Sequence, residues 1–390
     1  MSYEMSLTLQ HLTPAMESLS LHLSPTSQFP HQRSVLIKKY DQKYVSIEAG
    51  GFGSWGSVLV EHSYCTDNFS AVILASTLLE LSRTYKKNEQ TFIFRYDDPE
   101  SDVHGRIGET SVTLPRVIDE KEFQTRAPLK GIATGTFSNS VLSALKKIVF
   151  CVASSDLRVA LTGVHIQLKK DEVVFSGADG HMLGQYRLKC PGLPASIHDF
   201  ILPLSSIKTL IRMLEMNPEI EFDFELTTHY LRVYHQSMIQ AAFTLLDAKY
   251  PNLSSILKDA ASDSIHLSFA IDDALTVIKR AKVFVDPKMN CVVLSVPTDS
   301  PVPPKNLYIA TNSTTRGKFS DMIALESEVI RDFEIGLNIG YLTTVLESIK
   351  KSGSHATISL TSNDPETCKI IVKSPTEADN LIYVIMPMRV

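Results

Sequence analysis

Two stretches of the chain carry residue types that could do chemistry. Ala178 to Gly184, A-D-G-H-M-L-G, sets a carboxylate and an imidazole two residues apart. Asp179 and His181 could share a proton or a metal ion. Either task needs further convergent ligands, and no other Asp, Glu, His or Cys has matching spacing. An Asp-Gly pair is first a turn signal. Gly50 to Gly56, G-G-F-G-S-W-G, has the glycine content of a phosphate loop. It lacks the Lys-Ser/Thr, and no helical pattern starts behind it, so it reads as a tight hairpin or bulge. No G-x-S-x-G, H-E-x-x-H or paired-carboxylate motif occurs. The expectation is a protein that is not an enzyme and uses no cofactor or metal.

Phosphate binding is the other chemistry on offer. Basic residues recur on or just after stretches of helical periodicity: Arg83, Lys86 and Lys87; Lys146 and Lys147; Lys208 and Arg212; Lys279, Arg280 and Lys282; Lys350 and Lys351. Any one pair is accounted for by a solvated helix face. Their recurrence on successive helices gives a sharper expectation, a positive lining that holds duplex phosphates without reading bases. The first helix, with Glu17 and no nearby lysine, stays outside this set. A net charge of −5 excludes a globally basic nucleic-acid binder but leaves room for such a face.

The elements that carry these residues repeat. Ile207, Leu210, Ile211 and Leu214 form one helical stripe, and strands follow at Glu219–Leu226, Tyr230–His235 and Ile239–Leu246. Leu342, Val345, Leu346 and Ile349 form the same stripe before Ala356–Leu360, Cys368–Val372 and Ile382–Ile385. Leu74, Leu78 and Leu81 give a looser version before Thr91–Tyr96 and Ser111–Leu114. Each copy has a leading half. In the second it is a helix with Val141, Leu145, Ile148 and Val152, then strands Val159–Leu168 and Glu172–Ser176. In the third it is Ile271, Ala274, Leu275 and Ile278, then Val292–Val296 and Leu307–Thr311. In the first, the helix around Met16 and Leu19 is poorly patterned, and Pro25–Gln32 reads as a loop. The chain of 390 residues thus predicts three α+β units of helices on antiparallel sheets, 1–134, 135–257 and 258–390.

Five scattered cysteines without C-x-x-C spacing fit reduced thiols in a cytosol. The N-terminus lacks a signal-peptide pattern, and no apolar run approaches the roughly 20 residues needed to span a bilayer. The expected location is cytoplasmic. The chain ends on an apolar run, I-Y-V-I-M-P-M-R-V. Tyr383 to Ile385 read as a strand, Pro387 ends it, and Met386 and Met388 sit at its rim.

D-L-R-V-A-L-T-G (Asp156–Gly163), A-D-G-H-M-L-G, Y-P-N-L-S-S-I-L (Tyr250–Leu257) and V-I-M-P-M-R-V stand in the order and spacing of the bacterial DNA polymerase III beta subunit, the sliding clamp family. I-L-P-L-S-S-I-K-T-L-I-R-M-L-E and I-K-R-A-K-V-F-V-D-P-K-M-N also resemble their counterparts there. The likeness covers residues 136 to 390 well and the first third by layout. It implies a head-to-tail homodimeric ring of clamp domains that encircles duplex DNA, indifferent to sequence. It also implies a groove binding short peptide motifs of polymerase, clamp loader and repair proteins. Matched onto this chain, the groove comprises Leu161, Gly180, His181, Met182, Leu183, Pro251, Ile256, Val384, Met386, Pro387, Met388 and Arg389. The DNA-facing set is Lys146, Lys147, Arg158, Lys208, Arg212, Lys279, Arg280, Lys350 and Lys351. The dimer interface takes Val283 and Phe284. Ala178 and Met182 replace the usual Thr and Arg of the groove, making it more apolar. Val159 and Ala160 stand where aromatics are common, and Leu204 and Ser205 where a basic pair is common. The other reading is a clamp-fold protein that binds replication partners without encircling DNA, as a phage- or plasmid-type variant would.

Overall fold

Alternating and striped apolar residues fold into 24 strands and seven α-helices among the described residues. The computed structural model describes residues 2–51, 53–85, 90–117, 123, 131–193, 196–257, 265–296, 305–326, 332–362 and 368–389. In chain order, the first run is β1 (Tyr3–Thr8), α1 (Leu9–Ser20), β2 (Ser34–Lys39), β3 (Tyr44–Gly50), β4 (Ser54–Cys65), β5 (Ser70–Leu74), α2 (Ala75–Thr84), β6 (Thr91–Tyr96), β7 (Val103–Ile107) and β8 (Thr110–Leu114). Next come β9 (Ala133–Phe137), α3 (Ser140–Ile148), β10 (Gly163–Lys169), β11 (Glu172–Ala178), β12 (Met182–Lys189), β13 (His198–Pro203), α4 (Leu204–Met216), β14 (Phe222–Leu226), β15 (Tyr230–His235), β16 (Ile239–Thr244) and the one-turn α5 (Ser254–Leu257). The last run is β17 (Ile265–Ala270), α6 (Ile271–Phe284), β18 (Cys291–Val296), β19 (Asn306–Ser313), β20 (Gly317–Ala324), β21 (Phe333–Asn338), α7 (Ile339–Lys350), β22 (His355–Leu360), β23 (Ile370–Lys373) and β24 (Leu381–Ile385).

These elements form two compact units. The first comprises Met1–Leu142, Gly192–Pro194 and Ser205–Asp247, and the second Ser143–Pro191, Ala195–Leu204 and Ala248–Val390. The first unit is built on one antiparallel sheet in the order β8-β7-β6-β1-β4-β16-β15-β14-β9, with β2, β3 and β5 branching beside β4. Met5, Leu7, Leu12, Met16, Leu19, Leu78, Phe92 and Phe94 are buried in its core. Each large apolar side chain so buried contributes about 1.5–3 kcal/mol. The second unit has an eight-stranded sheet, β13-β10-β11-β12-β24-β23-β22-β17, and a four-stranded one, β20-β19-β18-β21. Both are α+β layers, as the residue patterns require.

Several boundaries differ from the sequence expectation. The helix around Met16 is well formed: Leu9, Leu12, Met16 and Leu19 make its buried stripe, which Pro14 inside the helix obscures. Val159–Thr162 is a 3-10 turn, not the start of a strand, with the Thr162 hydroxyl donating to the Val159 carbonyl at 2.8 Å. Pro218 and the turn after it delay β14 to Phe222. Gly135 lies inside β9, paired with Phe224. Lys258, Lys86 and Lys87 lie outside the described residues.

Candidate functional site

Within the second unit, the A-D-G-H-M-L-G stretch is a hairpin corner between β11 and β12. Asp179 makes it: its carboxylate accepts the backbone N–H groups of His181 and Met182 at 2.8 and 2.7 Å. Gly180 has φ +93°, which a side chain rarely adopts, and a Cβ there would fall 2.5 Å from the Arg158 guanidinium. The Tyr341 hydroxyl, on α7, also bonds Asp179, and its pKa is pushed up to about 12, first by burial and then by that carboxylate. Asp179 and His181 are thus a turn and its rim, not an acid–base pair. Among the described residues no cluster of His, Cys, Asp or Glu could hold a metal ion.

β12 pairs with β24, placing Leu183 beside Val384. Leu161, Leu183 and Val384 are buried. The chain then leaves β24 as a strap, with the Met386 N–H on the His181 carbonyl at 2.8 Å and the Met388 N–H on the Gly336 carbonyl of β21 at 2.8 Å. Met386 is 40 % exposed. Gly180, His181, Pro251 and Arg389 are exposed at the rim, and Ile256, Pro387 and Met388 are half-buried. A second strap, Tyr250–Leu257, crosses the same sheet face. It is pinned by Tyr250 stacked on His165 of β10 at 4.5 Å and by the Lys369 ammonium on the Ser255 carbonyl at 2.9 Å. Under it runs a polar cleft of about 470 Å³, lined by His165, Ser176, Gln185, Arg187, Asp199 and Pro251. Burial pushes the His165 pKa down, against the pull of Asp199.

Two predicted residues sit elsewhere. Met182 is buried, and the pleat turns it to the side of Gly184 and Tyr186, away from Leu183. Arg158, expected to face DNA, lies against Gly180 at the groove rim. It is clamped there by Asp156, which takes its Nε and Nη2 at 3.0 and 2.9 Å. The sequence carries no signal for Tyr341 and His165 as parts of this site, whereas Asp179 is legible as its turn residue. Tyr341 is a helix residue whose reach to the corner no local spacing shows.

The Asp156 carboxyl is held down at about 2, chiefly by the Arg158 side chain and then by its backbone N–H. The group is depressed in the fold, so its support for the loop is present above the ordinary carboxylate range and lost as pH falls through about 2. A carboxyl NMR titration should show that midpoint, and Arg158→Ala should move it upward. A midpoint near the ordinary 3.8 in the wild type would contradict the clamp.

The basic residues divide by burial. Lys146, Lys208, Lys279 and Lys351 are exposed. Arg212, Arg280 and Lys350 are exposed but paired with Glu215, Asp321 and Asp272 at 3.0, 2.9 and 2.6 Å. Such surface pairs hold about 0–1 kcal/mol and can yield to a phosphate. Lys147 corrects the expectation outright. Its side chain is 9 % exposed and ion-paired with Glu377, so it cannot serve a phosphate lining.

At the end of α6, Val283 is 64 % exposed. Phe284 stacks on Phe319 of β20 at 5.5 Å, and Met322 of β20 is exposed beside Asp321. Among the described residues β20 pairs with β19 alone and ends its sheet, as β8 ends the sheet of the first unit.

Residues 137–252 match the family described as DNA polymerase III beta subunit, central domain. The chain is 22% identical over 394 residues to the beta sliding clamp of Haemophilus influenzae, covering 99% of this chain and all of that one. It is 21% identical over 349 residues to the beta sliding clamp of Bacillus subtilis, covering 90% and 83%. Among solved structures, the DNA polymerase III subunit beta of Pseudomonas aeruginosa matches with a TM-score of 0.89 at 18% identity, over 99% of this chain and 100% of that one. The beta subunit of Thermotoga maritima matches with a TM-score of 0.86 at 15% identity over the whole of both chains. The fold is that of a DNA sliding clamp. The matched segment and the full-length relatives make the chain similar to the DNA polymerase III beta subunit, or beta sliding clamp, family.

Proposed function

We propose that the protein is a sliding clamp that closes as a head-to-tail homodimer around duplex DNA and tethers replication and repair proteins through the groove. The observation that carries this reading is the apolar patch beside the sheet-edge strand β20. Among the described residues β8 and β20 are two of the strands that end a sheet. An open edge is a template for another strand. Phe319 of β20 stacks on Phe284 beside the exposed Val283, an apolar patch at that edge. Two unlike edges on one chain favour a heterologous contact, and two such contacts close a ring.

A division into three clamp domains, 1–134, 135–257 and 258–390, is supported by the central-domain match at 137–252. The groove, with its apolar floor and two methionines on a strap, suits a short peptide with a glutamine and apolar anchors. Such a protein performs no chemistry and needs no cofactor. Among the described residues no helix is long and apolar enough to cross a membrane, which accords with a cytoplasmic place of work.

At micromolar concentration the protein should sediment as a dimer. Val283→Asp with Phe284→Asp should give folded monomers, since a charge in an apolar contact core costs several kcal/mol unless paired. A wild-type monomer, or a dimer untouched by the double substitution, would contradict this interface. One observation favours the alternative of a partner-binding clamp that does not encircle DNA. Arg212, Arg280 and Lys350 are already paired with carboxylates and Lys147 is buried, so the phosphate lining is thinner than the sequence promises.

A further inference from the structure

The β12–β24 seam has two faces, and residues of β24 alternate between them. Val384 faces the groove with Leu183, while Tyr383 faces α3 and α7 opposite Gly184. On that second face lies a buried polar network that the groove does not use. The Lys147 ammonium meets the Glu377 carboxylate and lies 5.1 Å from the Tyr186 ring centre. Glu377, in the turn leading into β24, also accepts the Ser352 hydroxyl at 2.5 Å. The Tyr383 hydroxyl donates to the Lys147 carbonyl at 2.9 Å and shares a 2.8 Å hydrogen bond with Ser348 of α7. That carbonyl is one of the last of α3 and has no partner within its own helix. Gly184 leaves room for this arrangement: a Cβ there would fall 2.6 Å from the Cys151 sulfur and 3.1 Å from the Tyr383 ring.

We propose that Lys147, through Glu377 and Tyr383, is a positioning residue for the partner groove: it fixes the twist and register of β24 from behind, and so holds Val384 and the Met386 strap in peptide-binding geometry. The proposal rests on the groove reading. A purely stabilising pair need not be charged, since well-packed apolar residues of similar volume serve as well. Here the charge joins a helix end to the turn before β24, 230 positions away in sequence. Removing one partner strands the other charge in a buried place, and the turn must move to hydrate it. Movement of that turn shifts β24, and Val384 is the strand residue next to Tyr383.

The test uses the full-length protein, with Glu377→Gln and Lys147→Met compared with wild type and with Lys147→Arg. The first readout is amide hydrogen exchange along residues 381–388. The second is affinity for a fluorescein-labelled peptide of the form Gln-Leu-x-Leu-Phe. Both uncharged variants should exchange faster at the Met386 N–H, with β10 and β11 unchanged, and bind the peptide roughly three- to thirtyfold more weakly. Lys147→Arg should recover most of the affinity. Folded variants with unaltered exchange at Met386 and unaltered affinity overturn the proposal, as does loss of protection spread evenly over the whole sheet. If the wild type fails to bind the peptide, the groove reading falls. Exchange alone then decides whether Lys147 positions the strap. Should both charge variants fail to fold, Tyr383→Phe removes only a hydroxyl, and the same two readouts apply with the same outcomes.

Discussion

Deletion of Met386 to Val390 is expected to abolish binding of a Gln-Leu-x-Leu-Phe peptide while the protein stays folded. The strand β24 ends at Ile385, and its ladders with β12 and β23 lie wholly before the cut. Two backbone hydrogen bonds tie the strap down, Met386 to His181 and Met388 to Gly336, and its side chains add little to the buried core. The cost to the fold is therefore small. The cost to the groove is large, because Met386, Pro387 and Met388 make one wall over the Leu161, Leu183 and Val384 floor. Anchors of this kind carry about 2 kcal/mol or more each, and loss of two weakens binding by about a thousandfold. An unchanged affinity, read by fluorescence anisotropy at equal folded concentration, would rule the groove out. A loss of affinity together with a collapsed melting curve would show instead that the tail is structural. Leu183→Asp separates the cases, since it destroys the floor and leaves the strap in place.

The fold was legible where one periodicity governs a whole element. The stripes of Leu210 and Leu214 in α4, and of Leu342, Val345 and Ile349 in α7, each need only local spacing, and both helices stand as expected. Alternation in β6 and β18 was equally clear. α1 was hard to read because Pro14 removes a helix donor in mid-element, a cost that packing of Leu12, Met16 and Leu19 overrides. The turn at Val159–Thr162 reads as strand because Val159 and Thr162 are β-branched and the run is mostly apolar, and the Leu161 N–H to Arg158 carbonyl bond with the Thr162 hydroxyl bond reveals the turn.

The site was legible in its motifs and not in its pairings. Asp-Gly-His announces a corner, and Met-Pro-Met announces a rim. That Arg158 lies on Gly180 depends on a close approach between two loops that are 22 residues apart. Lys147 shows the limit most plainly. It sits beside Lys146 on the same helix, and sequence makes the two look alike. Adjacent residues on a helix point about 100° apart, so one faces solvent and the other faces Glu377. The identity of a lysine as a phosphate ligand or a buried tie is thus set by a residue 230 positions on.

Encirclement is the central claim, and it separates binding from linkage. The exposed lysines Lys146, Lys208 and Lys279 lie on three helices, and Lys351 follows the end of a fourth. Contacts from so few cations should be weak, indifferent to sequence and steeply dependent on salt. Retention of a closed ring needs no such contact. The direct measurement is retention on nicked circular duplex, loaded by a clamp loader, against the same molecule linearised after loading, in one high-salt buffer. The protein should stay on the circle and run off the linear form, with half-times differing by at least about tenfold, and the Val283→Asp, Phe284→Asp variant should be lost from both. Equal loss of the wild type from circle and line would contradict encirclement and leave a clamp fold that binds partners alone.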